Sequence, residues 1–170
     1  MTANGQATWH KVWHVGDDVD TDALAPGAYM QHGIDIIAQH CLENMLPEFA
    51  RCVLPGDIIV AGRNFGIGSS REQAVAALRH LGVAAVIAPS YGGLFFRNAF
   101  NLGLLLVISP DTDVLQDQEL LVHITPGLKP VFMPEKQITT VPVPDFLLDL
   151  VRAGGLVNQL KHSQKLKEMQ

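Results

Sequence analysis

The residues best suited to chemistry lie in one stretch, GRNFGIGSSREQ, which covers residues 62–73. Ser69, Ser70 and the cation Arg71 follow directly after a glycine-rich run. A serine hydroxyl can accept a proton when it is suitably activated. An arginine grips a carboxylate through two parallel hydrogen bonds. The combination predicts a site for an anionic ligand that carries a carboxylate.

The same stretch also has a purely structural interpretation. Ser69 and Glu72 have the spacing of a capping box, whose side chains satisfy free N–H groups at the start of a helix. A serine cap stabilises a helix by about 1 kcal/mol, and Gly66 and Gly68 suit positive φ angles in the preceding turn. We therefore predict a helix over residues 69–82, with an N-terminus that is a ready anion site.

Arg71 favours the functional interpretation, because a cation in the first turn opposes the helix dipole. A bound carboxylate would reverse that cost. Nucleotides suit the stretch less well, since it lacks the P-loop lysine and has Arg71 in place of the third glycine of a dinucleotide motif. The dipole lowers a serine pKa by at most about 1.5 units. Ser69 would therefore need further positive charge, from Arg71 and from outside this chain, to act as a base.

The elements that must position these residues alternate along the chain. Alternation predicts a strand at 11–15, and apolar runs predict strands at 83–89, at 104–109 and, after a turn, within 55–62. Helices are predicted at 34–45, 69–82 and 91–103. Continuous apolar strands between helices indicate βαβ units and a mainly parallel sheet. A β-hairpin is predicted within 119–143, a last helix at 144–156 and a polar, frayed tail at 161–170. The prediction is one α/β domain over residues 1–170, with a core at about 11–156.

The composition of the sequence restricts the classes of molecule that this protein is expected to bind. Hydrophobic residues make up 48% and charged residues 17%, which argues against disorder, and the net charge of −5 argues against nucleic acid and anionic membranes. Cys41 and Cys52 are the two cysteines and form no metal-binding motif, so we expect thiols and no metal site. Since the sequence has neither a signal-peptide pattern nor a membrane span, we expect a cytoplasmic protein.

Three segments together carry a family resemblance: DVDTDALAPGAYM (18–30), PGDIIVAG (55–62) and GRNFGIGSSREQAVAALRHLGVAAVIAPSYGGLFFRNAFNLGLL (62–105). They resemble the small subunit of 3-isopropylmalate dehydratase, which corresponds to the C-terminal swivel domain of aconitases. The resemblance implies a swivelling β/β/α fold and a two-subunit hydro-lyase that isomerises a hydroxy-dicarboxylate by dehydration and rehydration. It also implies that a large subunit binds a 4Fe-4S iron–sulfur cluster, in a heterodimer or heterotetramer, and that this chain binds no cofactor.

The resemblance assigns roles to four residues. Ser69 would be the base that removes a proton from the carbon next to a carboxylate. Asp22 would be a second catalytic residue that orients groups or relays protons. Ser70 and Arg71 would bind a substrate carboxylate.

The segment YMQHG (29–33) would read the variable arm of the substrate, with Gln31 and His32 as candidate contacts. It has no arginine to pair with a third carboxylate, which favours an apolar arm such as that of isopropylmalate. Dimethylmalate, citramalate and homoaconitate remain alternatives, as do a non-enzymatic carboxylate-binding module and a nucleotide-binding domain. Self-association of the isolated chain is also expected, because the partner's face would be exposed.

Overall fold

The computed structural model describes residues 7–116 and 119–168. Four neighbouring strands are parallel and form one side of the sheet: β1 (His10–His14), β2 (Ile58–Val60), β3 (Ala85–Ala88) and β4 (Leu105–Ile108). An antiparallel hairpin, β5 (Leu121–Ile124) and β6 (Pro130–Met133), joins the free edge of β1. The order across the sheet is β4-β3-β2-β1-β5-β6. The predicted alternation and the predicted hairpin are confirmed.

Short helices connect and cover the strands. They are α1 (Thr21–Leu24), α2 (Ile34–Gln39), α3 (Phe49–Cys52), α4 (Glu72–His80), α5 (Gly93–Asn101), α6 (Asp145–Ala153) and α7 (Leu156–Glu168). Short 3₁₀ turns lie at Gly27–Tyr29 and Thr112–Leu115. Because side chains alternate along a strand, the sheet buries two clusters. Ile59 and Val86 belong to the cluster that includes residues of α2, α4 and α5, whereas Ile58 and Ala85 pack with residues of the hairpin.

A buried carboxylate joins the amino end of β2 to β1. Asp57 is 2% exposed and accepts hydrogen bonds from Lys11 N at 2.9 Å, Leu54 N at 3.0 Å and Trp13 Nε1 at 3.0 Å. Three donors on one buried carboxylate satisfy groups that would otherwise be orphaned away from water. This contact fixes the end of the sheet that lies opposite the glycine–serine stretch.

The helix predicted at 34–45 is shorter than expected. It ends at Gln39, and Leu42 then takes a φ of 60°. The amide of Leu42 donates to the carbonyl of Ala23 at 2.8 Å, so the chain leaves the helix to bond with the segment after β1. Cys41 and Leu42 are still buried, which explains why the apolar spacing continued past the helix end.

The predicted frayed tail is wrong for residues 161–168, which continue α7. Lys161, Gln164 and Lys165 are good helix formers, and α7 contacts α5 and α6. The last predicted helix does stop at Gly154, which adopts a left-handed φ of 75°. Residues 1–6, 117–118 and 169–170 of the predicted domain lie outside the described residues.

Candidate active site

Two loops run side by side at the carboxyl ends of neighbouring strands. The aspartate loop (residues 15–25) follows β1, and the glycine–serine loop (residues 61–71) follows β2. Their backbones are joined by hydrogen bonds from Gly66 N to Val19 O at 2.7 Å and from Thr21 N to Ile67 O at 2.8 Å. The Thr21 hydroxyl also donates to Ser69 O at 2.9 Å. Residues some 48 positions apart thus form one continuous surface.

The glycines of this loop have the positive φ angles that the sequence predicts. Gly66 has φ 76° and Gly68 has φ 99°. A Cβ at Gly66 would overlap the ring of Phe95, and a Cβ at Gly68 would lie 3.3 Å from Thr21 Oγ1. The glycines therefore allow the turn itself and the close approach of the loop to α5 and to the aspartate loop.

The predicted capping box is wrong. Helix α4 begins at Glu72, its N-cap is Arg71, and no side chain caps it. The Ser69 carbonyl instead accepts from the Thr21 hydroxyl and from Arg71 N at 2.8 Å, which keeps Ser69 outside the helix. Ser69 and Ser70 are exposed residues, beyond the carboxyl end of β2.

Arg71 turns back to the aspartate loop. Its Nη1 donates to Asp22 Oδ1 in a very short contact and to Ala25 O at 2.9 Å. The side chain of Arg71 is 23% exposed and that of Asp22 is 61% exposed. The anion that offsets the unfavourable position of Arg71 therefore lies on this chain, which corrects the inference that a bound carboxylate alone accounts for it.

Asp22 also anchors the next turn of the chain. Its Oδ1 accepts a hydrogen bond from Gly27 N at 3.0 Å, at the start of the 3₁₀ turn. The hydrogen bond from Arg71, and then that from the Gly27 amide, lower the pKa of the Asp22 carboxyl. Asp22 is thus a carboxylate at neutral pH. Within residues 7–116 and 119–168, Nε and Nη2 of Arg71 make no hydrogen bond and remain available to a ligand.

Gln31 and His32 lie beyond this turn and are both exposed. The His32 amide donates to Tyr29 O at 2.9 Å. His32 lines a cavity of about 350 Å³ against the start of α4, whose other lining residues are Met30, Ile34, Ile37, Glu72, Gln73 and Ala76. Gln31 does not line it, so the structure brings only one of the two predicted arm contacts to this cavity.

The other acidic side chains of the aspartate loop have structural partners. Asp17 accepts from Arg63 Nη2 at 2.9 Å, Asp18 accepts from Asn64 Nδ2 at 2.8 Å, and Asp20 caps α1 through Ala23 N at 2.7 Å. The side-chain hydrogen bond of Arg63, followed by its amide, lowers the pKa of Asp17. Asp17 and Asp18 thus hold the two loops together, which the sequence did not reveal because their partners Arg63 and Asn64 lie in a different loop.

The donor set of this chain does not fit an iron–sulfur cluster. Such clusters are held mainly by cysteine thiolates, and the sequence has two cysteines. Cys41 is buried, which raises the pKa of its thiol, and Cys52 is exposed. The described residues contain no group of three or more His, Cys, Asp or Glu that could hold a metal ion. In the same part of the chain, every helix is too short or too polar to cross a membrane.

Known proteins are similar to this chain in sequence along most of its length. The sequence model of the aconitase C-terminal domain matches residues 26–111. A homoaconitase small subunit from Methanothermobacter thermautotrophicus is 44% identical over 87% of each chain. A 3-isopropylmalate dehydratase small subunit from Thermotoga maritima is 39% identical over 89% of this chain and 93% of its own length.

Structural similarity agrees with the sequence matches. The crystal structure of 3-isopropylmalate dehydratase (leuD) from Methanocaldococcus jannaschii superposes with a TM-score of 0.86 at 38% identity, over 96% of this chain and 99% of that one. The mixed sheet and its flanking helices are those of an aconitase C-terminal domain, as the sequence predicted. The chain belongs to that family, and within it to the small subunits of the 3-isopropylmalate dehydratase type.

Proposed function

We propose that this chain supplies half of the active site of a hydro-lyase that isomerises a hydroxy-dicarboxylate by dehydration and rehydration. The observation that carries the proposal is the Asp22–Arg71 pair, which holds a cation beside two exposed serines at one edge of the sheet. The similarity to dehydratase small subunits over most of the chain supports it.

Ser69 is the proposed base. It lies two residues before the N-cap of α4. The effect of the helix dipole is weaker there than within the first turn. Even a dipole contribution of about 2 kcal/mol would lower the pKa by about 1.5 units, far too little to ionise a hydroxyl at neutral pH. The remaining positive charge has to come from a partner, so the isolated chain is expected to be inactive.

Arg71 and Ser70 are the proposed contacts to a substrate carboxylate. Asp22 holds Nη1 of Arg71, which leaves the other guanidinium donors to face the ligand. Because its pKa is lowered, Asp22 has no proton to give at neutral pH. We assign Asp22 the role of orienting Arg71, because its Oδ1 accepts the hydrogen bond from Arg71 Nη1.

The partner in this proposal is a large subunit that carries the 4Fe-4S iron–sulfur cluster, in a heterodimer or heterotetramer. The unsuitable donor set of this chain supports that placement. The names of the relatives as small subunits support the existence of a larger partner. We also propose a cytoplasmic location for the complex, as expected from the sequence.

An apolar substrate arm is favoured by the cavity at His32. Met30, Ile34 and Ala76 give it apolar walls, and the carboxylate of Glu72 would repel a third substrate carboxylate. Isopropylmalate is therefore the preferred substrate. Homoaconitate stays an alternative because of the identity with the homoaconitase small subunit; dimethylmalate and citramalate have small arms that the cavity also admits.

The test is reconstitution with an iron–sulfur large subunit and assay of alkene formation from a panel of hydroxy acids. We expect turnover by the pair, none by the isolated chain, and a loss of at least about 10²-fold in kcat for Ser69→Ala with assembly intact. Ser163→Ala on α7 is the matched control, because its exposed hydroxyl bonds only its own helix in the described chain. Normal turnover by Ser69→Ala would refute the base assignment, whereas tight carboxylate binding by an unpaired chain would favour the binding-module alternative.

A further inference from the structure

An aromatic stack closes the loop that follows the 3₁₀ turn. The rings of Tyr29 and His40 are parallel within 7°, with their centroids 3.5 Å apart. At the edge of the imidazole, His40 Nδ1 lies 2.6 Å from Glu43 Oε2, and the two side chains are 28% and 35% exposed. One imidazole therefore links the end of the 3₁₀ turn to the end of α2.

The chain segment that runs from Tyr29 to His40 includes residues that line the cavity at His32. Met30, His32 and Ile34 line it, and all three lie between Tyr29 and His40 in sequence. The segment is held at its start by the hydrogen bond from Gly27 N to Asp22. Across its middle, the described hydrogen bonds are local, such as that of the His32 amide to Tyr29 O. The stack therefore adds a side-chain contact at the far end of this wall, where Leu42 N also donates to Ala23 O at 2.8 Å and α2 packs against α4.

We propose that His40 is a positioning residue for substrate selection, which acts through its stack on Tyr29. This inference rests on the proposed function, because it assigns the cavity at His32 to the variable arm of the substrate. His40 reaches the site through the Tyr29 ring and is not a catalytic residue. Its effect should fall on the binding of the arm and leave the proton transfer at Ser69 unchanged.

The first test uses the full chain alone and follows amide hydrogen exchange of residues 30–33. His40→Ala should raise the exchange rate of the His32 amide by about 2- to 12-fold, the range expected for loss of one aromatic pair. His40→Phe keeps a stacking ring without the contact to Glu43 and should stay within about twofold of wild type. His80→Ala, at an exposed position of α4, is the matched control.

The second test uses the reconstituted pair with an apolar-arm substrate and with a smaller one that lacks the arm. His40→Ala should raise KM for the larger substrate by about fivefold or more, with kcat within about twofold and KM for the smaller substrate nearly unchanged. His40→Phe should restore KM. If His40→Ala does not fold, Tyr29→Leu removes the stack from the other side and should give the same split.

The outcomes separate the two proposals. A wild-type pair without turnover on any hydroxy acid refutes the proposed function and, with it, the substrate role of His40. A wild-type pair that is active, together with a His40→Ala variant of unchanged exchange and unchanged KM, overturns only the positioning role. An equal loss of kcat for both substrates would also overturn it, since that pattern indicates general damage and no selective effect on the arm.

Discussion

Replacing Asp22 with asparagine should disturb the orientation of Arg71 while changing the stability of the fold very little. Asp22→Asn removes the charge that holds Nη1 of Arg71, while the amide oxygen can still accept the hydrogen bond from Gly27 N. The change is nearly isosteric, so the path of the aspartate loop should survive. Arg71 would keep its hydrogen bond to Ala25 O as the remaining restraint on its guanidinium.

The expected magnitudes differ for folding and for activity. The side chain of Asp22 is 61% exposed, so solvent screens the ion pair and its loss should lower the free energy of unfolding by less than about 1 kcal/mol. For a chain of this size the corresponding fall in Tm is at most about 2–4 °C. A misplaced carboxylate-binding group, in contrast, can lower the rate by about 10²-fold, or about 2.7 kcal/mol of transition-state stabilisation. Activity should therefore fall much further than stability.

The assay is kcat/KM of the reconstituted pair, measured beside thermal unfolding of the chain alone. Asp17→Asn is the matched control, because it breaks the comparable Asp17–Arg63 pair in the same two loops but away from the proposed substrate contacts. We expect Asp17→Asn to retain kcat/KM within about threefold. The result that refutes the reasoning is a kcat/KM for Asp22→Asn that matches wild type, or equal losses in both variants, which would indicate a general effect on the loops.

Three further predictions concern stability, each measured by urea unfolding. Asp57→Ala should lower the free energy of unfolding by about 3 kcal/mol or more, because the buried Trp13 Nε1 and two partly buried amides lose their acceptor; a loss below about 1 kcal/mol would contradict this. Gly66→Ala should cost about 2–4 kcal/mol through positive φ and overlap with the Phe95 ring, whereas Gly93→Ala, with open space around its Cβ, should be nearly neutral. The amide of Thr139 lowers the pKa of Asp111 in the folded state, so its contribution is present above the unfolded pKa near 3.9 and is lost as pH falls through the folded value. The unfolding midpoint should therefore fall as the pH drops below about 5 and through the lowered folded pKa of Asp111, and Asp111→Asn should reduce that fall; an unchanged slope would exclude this contribution.

Most of the sheet could be predicted because its signals are local. Apolar runs such as 83–89 alternate with helical spacing, and Gly154 stops α6 where a left-handed residue is needed. The glycine–serine loop was also recognisable, since its positive φ angles require residues without a Cβ. In each case the residues that determine the structure are neighbours in sequence.

The errors arose where a distant segment competes with a local pattern. The spacing of Ser69 and Glu72 fits a capping box, but the Thr21 hydroxyl binds the Ser69 carbonyl and the helix starts three residues later. Arg71 was expected to pair with the carboxylate of a bound ligand, but it already forms an ion pair with Asp22. Neither partner could be deduced from the sequence, because contacts across 48 or 49 positions have no local signature.

The buried contacts of Asp57 have a consequence for how this protein can change over evolution. They fix the amino ends of β1 and β2, whereas the residues that would face substrate lie beyond the carboxyl ends of the same strands. A substitution in the 29–33 segment therefore leaves the hydrogen bonds that hold the sheet untouched. Such a division lets one scaffold acquire a different substrate preference by single substitutions, without first gaining stability elsewhere.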